Sequence, residues 1–189
     1  MVSKLIFLTL LVSLSFSASL LSADNIATSD ITVLFSPKDE CGKAILEKID
    51  SAKKSIELAI YHLTSRALSK GLIMAAKRGV AVRVFFDGEN VREDYSKANF
   101  LKKNGVLVKF ENGVGLMHNK FCVIDDEFVI TGSYNWTTTA DLKNDENVLF
   151  INSKELAKVY RMQFENYWQG TYADEAFYID KNTLRKHIK

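Results

Sequence analysis

Between Ile31 and Trp168 the chain alternates short β-rich apolar runs with longer stretches whose apolar residues recur at helical spacing, and that alternation limits the folds open to it. Ile31 to Phe35 reads as a first strand, closed by Ser36 and by Pro37, the single proline of the sequence. Cys41 to Ala52 brings Ile45, Leu46 and Ile49 to one side of a short helix. A second strand follows over Ser55 to Tyr61. Ser65 to Arg78 then reads as a helix with Leu68, Leu72, Ile73, Ala75 and Ala76 inward and Gly79 as its stop. Val80 to Phe86 makes a third strand, Asp94 to Asn104 a helix with Tyr95, Phe100 and Leu101 inward, and Val106 to Phe110 a fourth strand after Gly105. Near the end, Asn147 to Ile151 is another strand and Ser153 to Trp168 a helix with Leu156, Val159, Tyr160, Phe164 and Trp168 inward. Ser153 alone supports its start, because Leu156 stands where a capping box would place an acid. Strands joined through such helices require right-handed crossovers, so the expected class is α/β, a mostly parallel central sheet with helices on both faces.

The chain has 189 residues, 47% hydrophobic and 25% charged, enough for one domain with a substantial core and too few for two ordinary ones. Its first 23 residues differ from the rest. Lys4 precedes the apolar run Leu5 to Val12, and a stretch rich in small residues follows, up to Ala23; this is the order of a secretory signal. An uncleaved anchor is the rival, since Leu5 to Leu21 approaches the ~20 residues of a spanning helix. The expected organisation is therefore a leader over 1–23, one folded domain over 24–169 and a tail over 170–189, with an exported or membrane-associated product. The tail is polar with scattered aromatics and a basic end, open between a docking arm and a frayed terminus.

Net charge names no partner: 25 basic residues face 23 acidic ones, and the leader carries only Lys4 of the former. Local charge says more. Arg66, Lys70, Lys77, Arg78, Arg83, Arg92, Lys97, Lys102, Lys103 and Lys109 fall in one segment, which suits a polyanion by counterion release or, as plainly, a set of solvated helix faces. Cys41 and Cys122 could pair in an oxidising compartment, although Cys122 sits in an apolar run and reads as a small core residue.

The chemistry concentrates in His118-Asn119-Lys120-Phe121-Cys122-Val123-Ile124-Asp125, followed by Gly132-Ser133-Tyr134-Asn135-Trp136. The first run reads as a strand whose period of two sends His118 and Lys120 to one face; Asp125-Asp126-Glu127 is an acidic turn; Phe128 to Thr131 pairs back. The loop beyond returns the Ser133 hydroxyl and the Asn135 amide to the same place. A neutralisable nucleophile, a fixed cation and two neutral donors suit a phosphodiester. Glu111 to Leu116, ahead of this run, is a turn and lacks the strand-to-helix context of a phosphate cradle.

The pattern H-x-K, four residues, D, six residues, G-S resembles the signature of the phospholipase D superfamily, in the style of its small single-motif members: secreted bacterial endonucleases and mitochondrial cardiolipin hydrolase-like proteins. The resemblance runs over Ile31 to Gln169 and is strongest from Met117 to Ile151. It implies a metal-independent phosphodiesterase with no cofactor, in which His118 forms a phosphohistidine and Lys120, Ser133 and Asn135 hold phosphoryl oxygens. Asp125 completes the motif and belongs with His118 and Lys120 in the catalytic set it implies; its offset from Lys120 puts it on the opposite strand face, where it shapes the hairpin. Glu146 matches the carboxylate that orients the nucleophilic histidine.

One imidazole cannot attack and protonate in the same step. The second acid is expected from His118 of an identical subunit across a two-fold axis, giving a homodimer with a composite site. His62, ending a strand, is the competing donor. Trp136 is a core wall or a stacking surface. Nucleic acid is the leading substrate. A phospholipid head group is the alternative, favoured if the leader stays as an anchor or if Leu116, Met117, Tyr134 and Trp136 form an apolar lip, and a non-catalytic binding module is the third reading.

Overall fold

The computed structural model describes residues 30–90, 96–111 and 115–170. The leader, Tyr95, Arg92 and the tail beyond Gly170 lie outside them.

Seven strands form one sheet: β1 (Ile31–Ser36), β2 (Ser55–Ile60), β3 (Ala81–Phe86), β4 (Leu107–Phe110), β5 (Lys120–Ile124), β6 (Phe128–Gly132) and β7 (Glu146–Asn152). The helices are α1 (Cys41–Ser51), α2 (Arg66–Lys77), α3 (Ala98–Lys103), α4 (Thr138–Leu142) and α5 (Lys154–Gln169). The spatial order is β1-β7-β6-β5-β2-β3-β4.

The α/β class holds, but the sheet is mixed rather than mostly parallel. Only β2–β3 and β3–β4 pair in parallel, while β5 pairs antiparallel with both β2 and β6, and β7 with both β6 and β1. Helices α2 and α3 join the parallel strands β2, β3 and β4. The β5–β6 connection is only the turn at Asp125 and Asp126, both at positive φ (57° and 59°), and a turn that short reverses the chain.

Period-two alternation divides the core. Ile56, Leu58 and Ile60 of β2, with Val82, Val84 and Phe86 of β3 and Cys122 and Ile124 of β5, face α1, α2 and α3. On the opposite face Ala59, Phe85, Phe121, Val123 and Val129 pack against Ala157, Phe164 and Tyr167 of α5. Among the described residues, helices therefore cover both faces, one with a group and the other with α5. Val159, expected inward, is exposed, because α5 turns Ala157 and Phe164 to the sheet instead. Phe100 is also partly exposed. Ser65, Thr137 and Ser153 cap α2, α4 and α5, each accepting a backbone N–H three residues on. Cys41 and Cys122 are both buried free thiols. No helix among the described residues is long and apolar enough to cross a membrane.

Candidate active site

The site is built where β2 ends and β5 begins. Ile60 pairs with Lys120, and the Tyr61 N–H donates to the Asn119 carbonyl (3.1 Å), which carries the pairing one step past the strands. His118 precedes β5 and its side chain is exposed, whereas Lys120, the first residue of β5, is buried with 8% of its surface accessible. The Lys120 ammonium lies 3.2 Å from Nδ1 of His118 and donates to the His118 carbonyl (2.7 Å). It also stands 4.9 Å from the centre of the Tyr61 ring, and that ring is 4.4 Å from the His118 ring. An imidazole, an ammonium and an aromatic face thus share one corner.

Burial pushes the His118 imidazole below its usual value; Lys120 and His62 push the same way and Asp87 opposes them. The ring is therefore held towards its neutral, nucleophilic form. Burial also lowers the Lys120 ammonium, against the pull of Glu146. Its hydrogen bonds end on neutral acceptors, so the cation is short of an anion.

The loop after β6 closes the site from the other side. Gly132 lies at φ 151°, where a β-carbon would stand 2.2 Å from the Asn147 carbonyl oxygen. That approach lets the Ser133 N–H reach the same oxygen (3.2 Å), while the Asn147 N–H donates to the Ser133 hydroxyl (3.1 Å). The loop is then latched to the end of β2: the Trp136 N–H donates to the His62 carbonyl (3.0 Å), and the Thr64 and Ser65 N–H groups donate to the Trp136 carbonyl (3.1 and 3.0 Å). Asn135 accepts from the His62 N–H (3.2 Å), which leaves its amide nitrogen to donate. Trp136 is buried, a wall of the core.

Two residues of the implied set stand away from the His118 ring: Asp125 at the hairpin, as its offset from Lys120 predicts, and Glu146 on another partner. Asp125 is at the far end of β5, about 16 Å of strand from Lys120. Its carboxylate accepts from the backbone N–H groups of Lys53 (2.9 Å), Lys54 (2.7 Å) and Ser55 (3.0 Å), so its place in the catalytic set is corrected to a fastening of the hairpin. Burial alone would raise that carboxyl, but these N–H groups hold it below the usual range. Glu146 accepts from the Ser133 hydroxyl (2.5 Å) and the Asn144 amide (3.0 Å); within one chain it does not bond His118. The basic segment is also thinner than it reads. Arg83 is spent on Glu165 (2.6 Å) and Glu57 (3.2 Å), and Lys109 donates to the Trp168 carbonyl (2.6 Å).

Tyr61 and Asp87 were not singled out by the motif. Asp87 ends an apolar run at the carboxyl edge of β3, the kind of place where open α/β sheets gather function, and that was the signal available.

Residues 45–168 match the model of the cardiolipin synthase, PLD-like domain. The chain belongs to the phospholipase D-like family. It is 36% identical over 157 residues to a phospholipase D of Rickettsia conorii, covering 82% of this chain and 78% of that protein. It is also 36% identical over 118 residues to the mitochondrial cardiolipin hydrolase of Xenopus tropicalis, covering 62% of this chain and 56% of that one. Among solved structures, the phospholipase D family member Nuc of Salmonella typhimurium superposes with a TM-score of 0.70 at 31% identity, over 74% of this chain and 93% of its own. The protein is accordingly a phosphodiesterase of the phospholipase D superfamily.

Proposed function

We infer that the protein is an exported endonuclease that hydrolyses nucleic-acid phosphodiesters through a phosphohistidine on His118, without a metal. The observation that carries this is an imidazole open to solvent on one side, lowered by partial desolvation and by Lys120, beside a buried ammonium whose hydrogen bonds end on neutral acceptors. An incoming phosphoryl oxygen offers Lys120 a stronger, ionised acceptor than a ring nitrogen. The ammonium turns to it, and a lone pair of His118 is freed.

The unprotonated ring nitrogen of His118 then forms a bond to phosphorus while the bond to the leaving oxygen breaks. His118 of the partner subunit in a two-fold homodimer gives that oxygen its proton. In the second half the same partner imidazole takes a proton from water, the water oxygen bonds to phosphorus, and the bond to His118 breaks. Lys120 and the Asn135 amide nitrogen hold the non-bridging oxygens, and the Ser133 hydroxyl joins them by turning its one hydrogen from Glu146 to the phosphate. Glu146 keeps the Ser133 hydroxyl in place and offsets part of the cost of burying Lys120.

Nucleic acid is favoured over lipid because Met117, Tyr134 and Trp136 are buried, leaving Leu116 alone of the supposed apolar lip, whereas Arg66, Lys70, Lys77, Lys102 and Lys103 are exposed. The second reading, hydrolysis of a phospholipid head group, draws its support from the names of the relatives. Purified protein incubated in excess chelator with labelled single- and double-stranded DNA, and with phosphatidylcholine or cardiolipin vesicles, separates the two. Cleaved DNA and intact lipid are expected; the reverse would replace the first reading by the second.

A further inference from the structure

Asp87 closes β3 with 1% of its surface accessible, and both its oxygens are engaged. Oδ1 accepts from the backbone N–H groups of Glu89 (3.1 Å) and Asn90 (3.0 Å) and from the Asn90 side-chain amide (3.0 Å). Oδ2 accepts from the N–H of Met117 (3.0 Å), the residue immediately before His118. The Asn90 amide nitrogen donates to a carboxylate, which only accepts, so the Asn90 oxygen is the atom that faces Nε2 of His62. An amide oxygen cannot donate, so Nε2 of His62 must carry hydrogen. The His62 ring is stacked on Tyr61 (4.4 Å, 25°), the aromatic that lies 4.4 Å from His118. One buried carboxylate therefore reaches both histidines of this corner.

We propose that Asp87 is a positioning residue of the reaction, pinning the backbone that presents His118 and, through the Asn90 amide, fixing the ring of His62 beside the same aromatic. The proposal rests on the reading of His118 as nucleophile. Among the described residues, the charged or titratable groups that face or act on His118 are Lys120 from β5, the Tyr61 phenol and His62 after β2, and Asp87 at the end of β3, and Asp87 is the one that pushes the imidazole upward. An amide at position 87 removes that push. It also loses a contact in either orientation, since its nitrogen cannot accept from Met117 or from the 89–90 turn.

The test uses the full chain as wild type, D87N, N90A and H118N, with labelled DNA as substrate and the histidine side chains followed by NMR. In D87N, kcat is expected to fall on the order of 10- to 100-fold with KM little changed. The His118 titration midpoint and the acid limb of kcat/KM should both move to lower pH, which loss of a merely structural contact would not produce. In N90A the His118 midpoint should stay, while His62 loses its preference for hydrogen on Nε2. A D87N protein with an unmoved His118 midpoint or a wild-type kcat overturns the proposal. Should D87N not fold, N90A decides it, and an unchanged His62 tautomer in that variant overturns it. H118N separates the two ideas: turnover surviving there defeats the nucleophile reading, while midpoint and tautomer need no turnover and still judge the clamp.

Discussion

The two ends of β5 carry the two halves of one signature and are opposite in kind. At the Lys120 end a buried ammonium rests against a carbonyl, a ring nitrogen and an aromatic face, all neutral, and its pKa is lowered by burial. At the Asp125 end a carboxylate is saturated by three backbone N–H groups and its pKa is lowered because those donors outweigh burial. The first end is a charge kept short of a partner, which is what a substrate anion can exploit; the second has spent its charge on the fold. Linear proximity in a motif does not mean shared chemistry.

The contrast can be broken most directly at His118. H118N is expected to lower turnover on the order of 10⁴-fold or more while substrate binding persists, read by single-turnover kinetics and a binding titration. K120A should cost on the order of 10²- to 10³-fold in kcat. It should also shift the acid limb of kcat/KM to higher pH, because Lys120 is one of the charges that lowers His118. S133A, which removes the hydroxyl that Glu146 holds beside the site and that must turn to reach a phosphoryl oxygen, should cost about tenfold, the equivalent of a ~1.4 kcal/mol hydrogen bond.

The smallest effect on turnover belongs to the far end of the strand. D125N should leave kcat per folded molecule within about twofold while lowering unfolding stability by about 1–2 kcal/mol, after allowance for solvent screening. The sign with pH follows from the depressed carboxyl. Its stabilisation is fully present above the unfolded aspartate value and is lost as pH falls through the lower folded value, so the gap between wild type and D125N should close on acidification. A chemical-denaturation series over pH checks this, and a large loss of kcat in D125N would erase the distinction between the two ends.

Much of this was legible in the residues. Strand and helix positions came from periodicity, and the ends of α2 and α5 from Ser65, Gly79 and Ser153. The direction of the sheet was not, because the crossover argument applies to β2, β3 and β4 while β1 joins β7 across the whole chain, a pairing no local pattern carries. Five-residue α4 is too short to show a period. His118 and Lys120 were found as a pair and do meet. In sequence Tyr61 is only the end of a strand and Asp87 the residue after one, since the role of each depends on which backbone lies beside it after folding. Glu146 was placed by resemblance, and the hydroxyl it actually holds is Ser133.

Gly132 adds a constraint of another sort. Every other amino acid would bring a carbon into the space taken by the Asn147 carbonyl, so replacement there must pry β6 from β7 and carry the serine loop outward. A single methyl group added at a residue with no side chain of its own is thus expected to displace Ser133, and a search for inactivating changes confined to polar side chains would overlook it.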